Sequence, residues 1–140
     1  MHPQTTEDWL FVAKERGADA EAIIKTRPDS VGSVYLAGYA VECSLKAYLR
    51  AAGIPFPTAG RGGHDLTALW RASGFSKRDI ADINGSKVFY LEGWSTGLRY
   101  YTTHVYGGLR NEELLIGAKR VVGWLQQQAR RTDLSRRRRK

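Results

Sequence analysis

The sequence predicts an all-α protein, an up-and-down helical bundle of four to five helices. Apolar residues recur at helical spacing in several separate segments, and Gly or Pro residues stand between these segments. No segment alternates apolar and polar residues in the way that a half-buried strand would. With 140 residues and 42% apolar side chains, the chain is long enough to bury one hydrophobic core.

The first helix is predicted over residues 6–25, where apolar side chains recur at helical spacing. Thr5 stands three residues before Asp8, which approximates a capping box with Asp in place of the usual Glu or Gln. Pro28 ends the pattern, because its ring cannot continue a helix.

A second helix is predicted to begin at Asp29 or Ser30, since both residue types are good N-caps. Gly53 is well placed to end it, because glycine readily adopts the left-handed conformation that follows many helices. As the longest and most apolar segment, this helix is expected at the centre of the bundle. Residues 54–63 are rich in Pro and Gly and predict a loop.

Further helices are predicted after this loop. A short helix covers residues 65–72, and residues 76–79 form a second approximate capping box that opens a helix to about Tyr90. Residues 93–108 show some helical periodicity, but their Gly and Thr residues weaken the prediction of a helix there. The last helix is predicted to begin at Asn111. Two acidic residues follow it, and negative charge is stabilising near the positive N-terminal end of a helix dipole.

Positive charge is concentrated at the end of the chain. The whole chain carries +8; residues 130–140 hold seven basic residues and one acid, so they contribute +6 and residues 1–129 only +2. A block of like charge opposes packing, so we predict a helical domain over residues 1–129 and a basic, disordered tail over residues 130–140. Such a tail either adds salt-dependent affinity for RNA or DNA, or is a solvated end that favours solubility.

The composition also argues against several classes of protein. No apolar run is long enough to span a bilayer and the N-terminus is polar, so we expect no membrane segment, no secretory signal and a cytoplasmic location. Cys43, the single cysteine, cannot form an internal disulfide and is expected as a small buried side chain in the apolar helix. The three His residues and Cys43 lack metal-ligand spacing, and no phosphate-binding glycine loop occurs, so neither a metal nor a cofactor is predicted.

Three short segments share a pattern with one family of helical bundles. Residues 38–49 have the sequence Gly-Tyr-Ala-Val-Glu-Cys-Ser-Leu-Lys-Ala-Tyr-Leu, residues 63–66 Gly-His-Asp-Leu, and residues 118–125 Ala-Lys-Arg-Val-Val-Gly-Trp-Leu. In their order and spacing they resemble the signature helix, the His-Asp-Leu start of the next short helix and the closing helix of the HEPN domain family. The resemblance covers most of residues 6–128. It implies a HEPN-like helical bundle that pairs as a homodimer.

Arg99 and His104 form the pattern Arg-x4-His. Catalytic HEPN proteins have an arginine followed after four to six residues by a histidine, so the resemblance implies a metal-independent endoribonuclease of the toxin or defence type. In this chemistry a histidine accepts the proton of the ribose 2′-hydroxyl, and an arginine holds the phosphate as it gathers negative charge. The resemblance further implies that the motifs of two protomers face one cleft, and that the products carry 2′,3′-cyclic phosphate and 5′-hydroxyl ends.

Five other residues are candidate contacts for a nucleic acid: Arg110, Tyr100, Tyr101, Glu42 and Lys46. Arg110 either adds a phosphate contact or is a loop charge before the last helix. The two tyrosines either stack on bases or belong to the core or a dimer interface. Glu42 and Lys46, four residues apart, either line a polar cleft or form a pair within the helix.

His64 and Asp65 allow two interpretations. They could act as a charge-paired catalytic unit, or Asp65 could cap the short helix that follows it. We favour the cap, because aspartate is a strong N-cap residue and its charge suits the positive end of a helix dipole.

Two hypotheses from different classes follow. The first is an endoribonuclease with an antitoxin or a nucleotidyltransferase as its protein partner; it requires Arg99 and His104 to converge in a solvated cleft. The second is a non-catalytic HEPN module that binds a nucleotide, RNA or a protein; it is favoured if His104 is buried or lies far from Arg99.

Overall fold

The computed structural model describes residues 2–57, 60–82, 84–102, 106 and 108–138. Within these ranges the chain forms helices and turns but no strand, apart from an isolated bridge between Tyr106 and Leu109. The helices are α1 (Thr6–Thr26), α2 (Gly32–Ala52), α3 (Gly60–Gly63), α4 (Leu66–Ser73), α5 (Val88–Glu92) and α6 (Asn111–Arg138). The predicted all-α helical bundle is therefore confirmed.

Helices α1 and α2 form the most extensive helix contact of the fold and run antiparallel. Trp9, near the start of α1, lies in one buried cluster with Cys43 and Ala47, near the end of α2. Only a few residues connect the two helices, which is typical of antiparallel neighbours in a bundle.

Helix α6 runs parallel to α2 and is tied to it at both ends. At its start, the Asn111 side-chain amide donates hydrogen bonds to the carbonyl oxygens of Pro28 and Ser30, at 2.9 and 3.0 Å. Near its other end, the Arg136 guanidinium donates to the carbonyl oxygen of Ala51, at 2.8 Å. These bonds fix the register of the two helices against each other.

Helix α2 lies at the centre, as predicted, because 14 of its residues are buried. A helix that is enclosed on nearly all sides must satisfy any polar residue that it carries. Most of the buried side chains of α2 are apolar and contribute to the core, notably Val34, Val41, Leu45 and Leu49.

The ends of α1 and α2 show where local prediction succeeds and where it fails. Thr5 and Asp8 form the predicted capping box, and Gly53 ends α2 with a left-handed φ of 72°. The start of α2 differs, because the N-cap position is Val31 and not Asp29 or Ser30. The Ser30 hydroxyl instead accepts a hydrogen bond from the amide of Gly32, inside the helix.

The segment before α5 differs from the predicted long helix. The capping box at residues 76–79 forms, but it opens only a 3-10 turn, Lys77–Asp79, and not a helix to Tyr90. Gly85 then has a φ of 82°, which a continuing helix does not allow. The carboxylate of Asp82 accepts hydrogen bonds from the amides at the start of α5, so a new short helix begins there.

Helix α6 continues without a break to Arg138, through most of the segment that we predicted as a disordered tail over residues 130–140. Two contacts explain the difference. Asp133 forms an ion pair with Arg137 one turn later, at 3.2 Å, and Arg136 is held by its hydrogen bond to α2. The spacing of Asp133 and Arg137 is visible in the sequence, whereas the contact of Arg136 with α2 depends on the packing of the two helices.

Candidate functional site

Trp94 packs against α2 at Gly38. A Cβ atom at position 38 would lie 1.9 Å from the indole ring, so the close approach requires glycine. The indole nitrogen donates a hydrogen bond to the carbonyl oxygen of Val34, at 3.2 Å. Trp94 is therefore fixed on α2, and it anchors the segment that follows it.

Tyr35 and Tyr39 lie one turn apart on α2 and contact Trp94. The Trp94 ring centroid is 6.2 Å from that of Tyr35, in a stacked arrangement, and 5.4 Å from that of Tyr39, edge to face. The two tyrosine hydroxyls form a hydrogen bond of 2.9 Å. Burial, followed by the hydrogen bond to Tyr35, raises the pKa of Tyr39, so the Tyr39 hydroxyl remains protonated at neutral pH.

Arg99 lies in the 3-10 turn Thr96–Tyr100 and is exposed. Its guanidinium carbon is 5.0 Å from the centroid of the Tyr100 ring. Hydrogen bonding to the side chain of Tyr100, and secondarily to that of Tyr35, raises the pKa of Arg99. Within the described part of the chain no carboxylate forms an ion pair with this residue, so its charge is uncompensated.

Two exposed tyrosines follow Arg99. Tyr100 and Tyr101 have exposed fractions of 78% and 62%, which is unusual for such large rings. They border an open depression of about 550 Å³ whose floor includes Leu98. We call Arg99, Tyr100 and Tyr101 the Arg99 surface.

Glu42 and Lys46 are buried, with exposed fractions of 3% and 1%. The Lys46 ammonium donates to Glu42 Oε2 at 2.9 Å and lies 5.1 Å from the centroid of the Trp9 ring. The second oxygen, Glu42 Oε1, is 2.8 Å from Nδ1 of His64. Because a carboxylate only accepts, Nδ1 is the donor. Each charge of the buried pair is thus matched, as burial of charge requires.

His64 lies in the turn between α3 and α4, and its side chain is 38% exposed. Its ring is 5.6 Å from that of Tyr39, edge to face. The contacts therefore run from Arg99 through Tyr35 and Tyr39 to His64, and from His64 to the buried carboxylate of Glu42. Exposed and buried polar groups meet along one side of α2.

Asp65 acts as the cap that we favoured. Its carboxylate accepts a hydrogen bond from the amide of Ala68 at 3.1 Å and so begins α4, which Gly74 ends with a φ of 80°. The acidic partner of His64 is consequently Glu42, on another helix, and not its neighbour in sequence.

The structure separates the predicted site residues into groups. Arg99, Tyr100 and Tyr101 share one surface. Arg110 is exposed just before α6, and its Nε lies 3.4 Å from a carboxylate oxygen of Glu113. His104 lies outside the described residues, so its position relative to Arg99 stays a prediction.

Glu42 and Lys46 require a correction. We expected them among the residues that contact a nucleic acid, but burial leaves neither side chain a surface that a nucleic acid could reach. The four-residue spacing along α2 predicted that Glu42 and Lys46 contact each other. It could not predict that His64, from another part of the chain, also binds the Glu42 carboxylate.

Tyr35 and Tyr39 were not among the predicted site residues. Their spacing of four residues places them on one face of α2, which was a usable signal. Their relation to Arg99 and His64 depends on the packing of Trp94 on Gly38, which no local pattern indicates.

The sequence model of the HEPN domain family matches residues 6–128 of this chain. The chain belongs to the HEPN domain family. No curated protein and no solved structure matches it. The matched range contains the Arg99 surface, the Glu42–Lys46 pair and His64, so these three features lie within the HEPN domain.

Two further properties of this HEPN domain bear on its chemistry. Cys43 is buried, and burial raises the pKa of its thiol to about 12, so the nucleophilic thiolate is scarce at neutral pH. In the part of the chain that the structure describes, no group of three or more His, Cys, Asp or Glu side chains is placed to hold a metal ion. None of the helices in that part has the length and apolar character needed to cross a membrane.

Proposed function

We propose that this HEPN protein binds single-stranded RNA at the Arg99 surface and cleaves it as a metal-independent endoribonuclease. The observation that carries the proposal is Arg99 itself, an exposed guanidinium held by tyrosine side chains and without a carboxylate partner among the described residues. A guanidinium in this state retains its full charge and its planar set of donors for a phosphate.

The tyrosines beside Arg99 give the surface its second component. Single-stranded RNA presents unpaired bases, and exposed aromatic rings next to positive charge stack on such bases without strong sequence preference. Tyr100 and Tyr101 supply these rings, and the depression beside them supplies space for a base. Arg110, exposed before α6, offers a further phosphate contact outside the turn.

The proposed chemical step follows the resemblance of Arg99 and His104 to the Arg-x4-His motif of catalytic HEPN proteins. His104 takes the proton from the ribose 2′-hydroxyl, O2′ attacks phosphorus, and Arg99 stabilises the charge that develops on the phosphate oxygens. The bond from phosphorus to O5′ breaks, which leaves a 2′,3′-cyclic phosphate and a 5′-hydroxyl. In this proposal a homodimer brings two Arg-x4-His motifs to one cleft, and an antitoxin or nucleotidyltransferase partner would restrain the activity.

The test is cleavage of labelled RNA in the presence of EDTA, with purified wild-type protein beside Arg99→Ala and His104→Ala. Arg78→Ala is the matched control, since it removes an equally exposed arginine from the other 3-10 turn. We expect cyclic-phosphate ends from the wild type and the control and none from the two motif variants. Cleavage by all four proteins would point to a contaminating nuclease and contradict the proposal.

A non-catalytic RNA-binding module is the second candidate, because the exposed tyrosines favour base stacking whether or not cleavage follows. Binding of fluorescent single-stranded RNA, measured by anisotropy, separates the two. Binding that Arg99→Ala abolishes, without cleavage of any RNA by the wild type, would establish the binding module in place of the nuclease.

A further inference from the structure

The contact between His64 and Glu42 is not explained by the Arg-x4-His motif. A histidine whose Nδ1 is held by a carboxylate has a fixed orientation, and the carboxylate stabilises the doubly protonated ring. In the described residues Nδ1 makes the only hydrogen bond of His64, to Glu42 Oε1 at 2.8 Å. The other ring nitrogen, Nε2, is left for a ligand on a side chain that is 38% exposed.

Glu42 is held in place from its other side. Lys46 donates to its second oxygen, so the carboxylate cannot rotate away from His64 without breaking a buried ion pair. Among the described side chains, the charged and titratable groups that face His64 are Glu42 and Tyr39 from α2, with Lys46 behind Glu42. Asp65 is engaged in capping α4.

His64 also lies beside the groups that hold Arg99. The Tyr39 ring contacts the His64 ring, and the Tyr39 hydroxyl is hydrogen-bonded to that of Tyr35, which contributes to the raised pKa of Arg99. The positive charge of Arg99 also acts on Tyr39, where it lowers the pKa against the effect of burial. Arg99 and His64 therefore lie beside the same pair of tyrosines on α2.

RNA cleavage of the proposed kind needs two proton transfers. One proton leaves the 2′-hydroxyl, and another must reach O5′ as its bond to phosphorus breaks, because an alkoxide is a poor leaving group. One His104 accounts for the first transfer. The donor for the second transfer is either the second copy of the motif in the proposed homodimer or another side chain beside the cleaved linkage.

We propose that His64, positioned by Glu42, is the general acid that protonates the leaving O5′. Nε2–H of the protonated ring gives its proton to O5′ while the bond from phosphorus to O5′ breaks and the bond from O2′ to phosphorus forms. His104 holds the proton taken from O2′, and exchange with water returns both rings to their starting states. The inference rests on the proposed nuclease function, and Glu42 acts in it as a positioning residue.

The test compares two RNA substrates that differ at one atom. The first has the natural O5′ at the cleaved linkage, and the second has sulfur there, which leaves as a thiolate and needs no proton. His64→Gln should slow cleavage of the natural linkage about 100-fold or more, the usual contribution of a general acid, and cleave the sulfur linkage at the wild-type rate. His104→Ala should be slow on both substrates.

A second variant tests whether a loss of cleavage comes from disturbed structure and not from the loss of a proton donor. Glu42→Gln combined with Lys46→Met removes both buried charges together and keeps a hydrogen-bond acceptor for His64. We expect slower cleavage of the natural linkage and recovery on the sulfur linkage. Affinity for a 2′-O-methylated RNA, which cannot be cleaved, should stay at the wild-type value for this variant and for His64→Gln.

Each remaining outcome has one meaning. Wild-type rates for His64→Gln on the natural linkage, or slow cleavage of both linkages, would overturn the assignment of His64 and leave the nuclease proposal standing. Failure of the wild type to cleave either substrate would overturn the nuclease proposal, and the assignment of His64 with it. Normal cleavage by Arg99→Ala would overturn the placement of the cleavage site at the Arg99 surface, and with it the assignment of His64.

Discussion

The buried polar residues of α2 and the Arg99 surface differ in how their charges are balanced. Inside, Lys46 is paired with Glu42, and Glu42 also binds His64, so each buried charge has a partner. On the surface, Arg99 is held by tyrosine side chains and has no carboxylate partner among the described residues. Burial forces charges to be compensated, whereas exposure permits a charge to remain available to a ligand.

This difference predicts opposite consequences of mutation. Changes in the buried network should lower the free energy of unfolding, and changes at the Arg99 surface should lower the affinity for RNA at constant stability. Glu42→Gln and Arg99→Ala test the two sides of that division, with the largest and the smallest expected effect on stability. Gly38→Ala and Asp65→Ala, at the Trp94 contact and at the cap of α4, should fall between them.

Glu42→Gln alone should have the largest effect. It leaves the Lys46 ammonium buried without a carboxylate, and breaking a buried pair in this way costs about 3–5 kcal/mol of unfolding free energy. Chemical denaturation measures the loss. The control is Glu42→Gln with Lys46→Met, which should recover much of it; equal loss in the single and double variants would contradict the account.

Gly38→Ala should follow, because a Cβ at this position overlaps the Trp94 ring. Overpacking of a well-packed contact costs about 1–3 kcal/mol, and the displaced indole should change the tryptophan fluorescence. The control is Gly17→Ala on α1, where a Cβ meets nothing within 4 Å. That variant should be unchanged or more stable, since alanine favours a helix over glycine by up to about 1 kcal/mol.

Asp65→Ala should remove the cap of α4 at a cost of about 1 kcal/mol. Asp65→Asn keeps a side-chain oxygen for the amide of Ala68 and should retain most of the stability. A loss of RNA cleavage in Asp65→Asn at normal stability would indicate a chemical role for Asp65 that its capping contact does not provide.

Arg99→Ala should leave the unfolding midpoint unchanged, because the residue is exposed and forms no ion pair within the described structure. Its affinity for single-stranded RNA should nevertheless fall, and the salt dependence of binding should weaken by about one counterion. A large fall in the melting temperature would show that Arg99 stabilises the fold. The contrast between the paired charges inside α2 and the available charge of Arg99 would then be wrong.

Local signals in the sequence predicted the parts of the fold that depend on neighbouring residues. The capping box of Thr5 and Asp8, and the left-handed glycines at positions 53 and 74, each involve a few residues of one helix. The predicted helix to Tyr90 was wrong because Gly85 and Asp82, further along the chain, interrupt it and begin α5 anew.

The candidate site was predictable only in part for the same physical reason. Arg99, Tyr100 and Tyr101 are adjacent in sequence and therefore remain together in the fold. The bond from His64 to Glu42 spans 22 residues, and the bond from Trp94 to Val34 spans 60, so both depend on the packing of separate helices. Spacing along one helix indicates which residues share a face, but not what lies against that face.

The hydrogen bond from the Arg136 guanidinium to the Ala51 carbonyl oxygen affects where a fragment of this protein can be cut without loss of a contact. The family match ends at residue 128, yet this contact joins positions 85 residues apart and satisfies a carbonyl group at the end of the central helix. A fragment cut at the family boundary would leave that carbonyl without the guanidinium. The contacts that join α6 to α2 therefore extend beyond the segment that the family model matches.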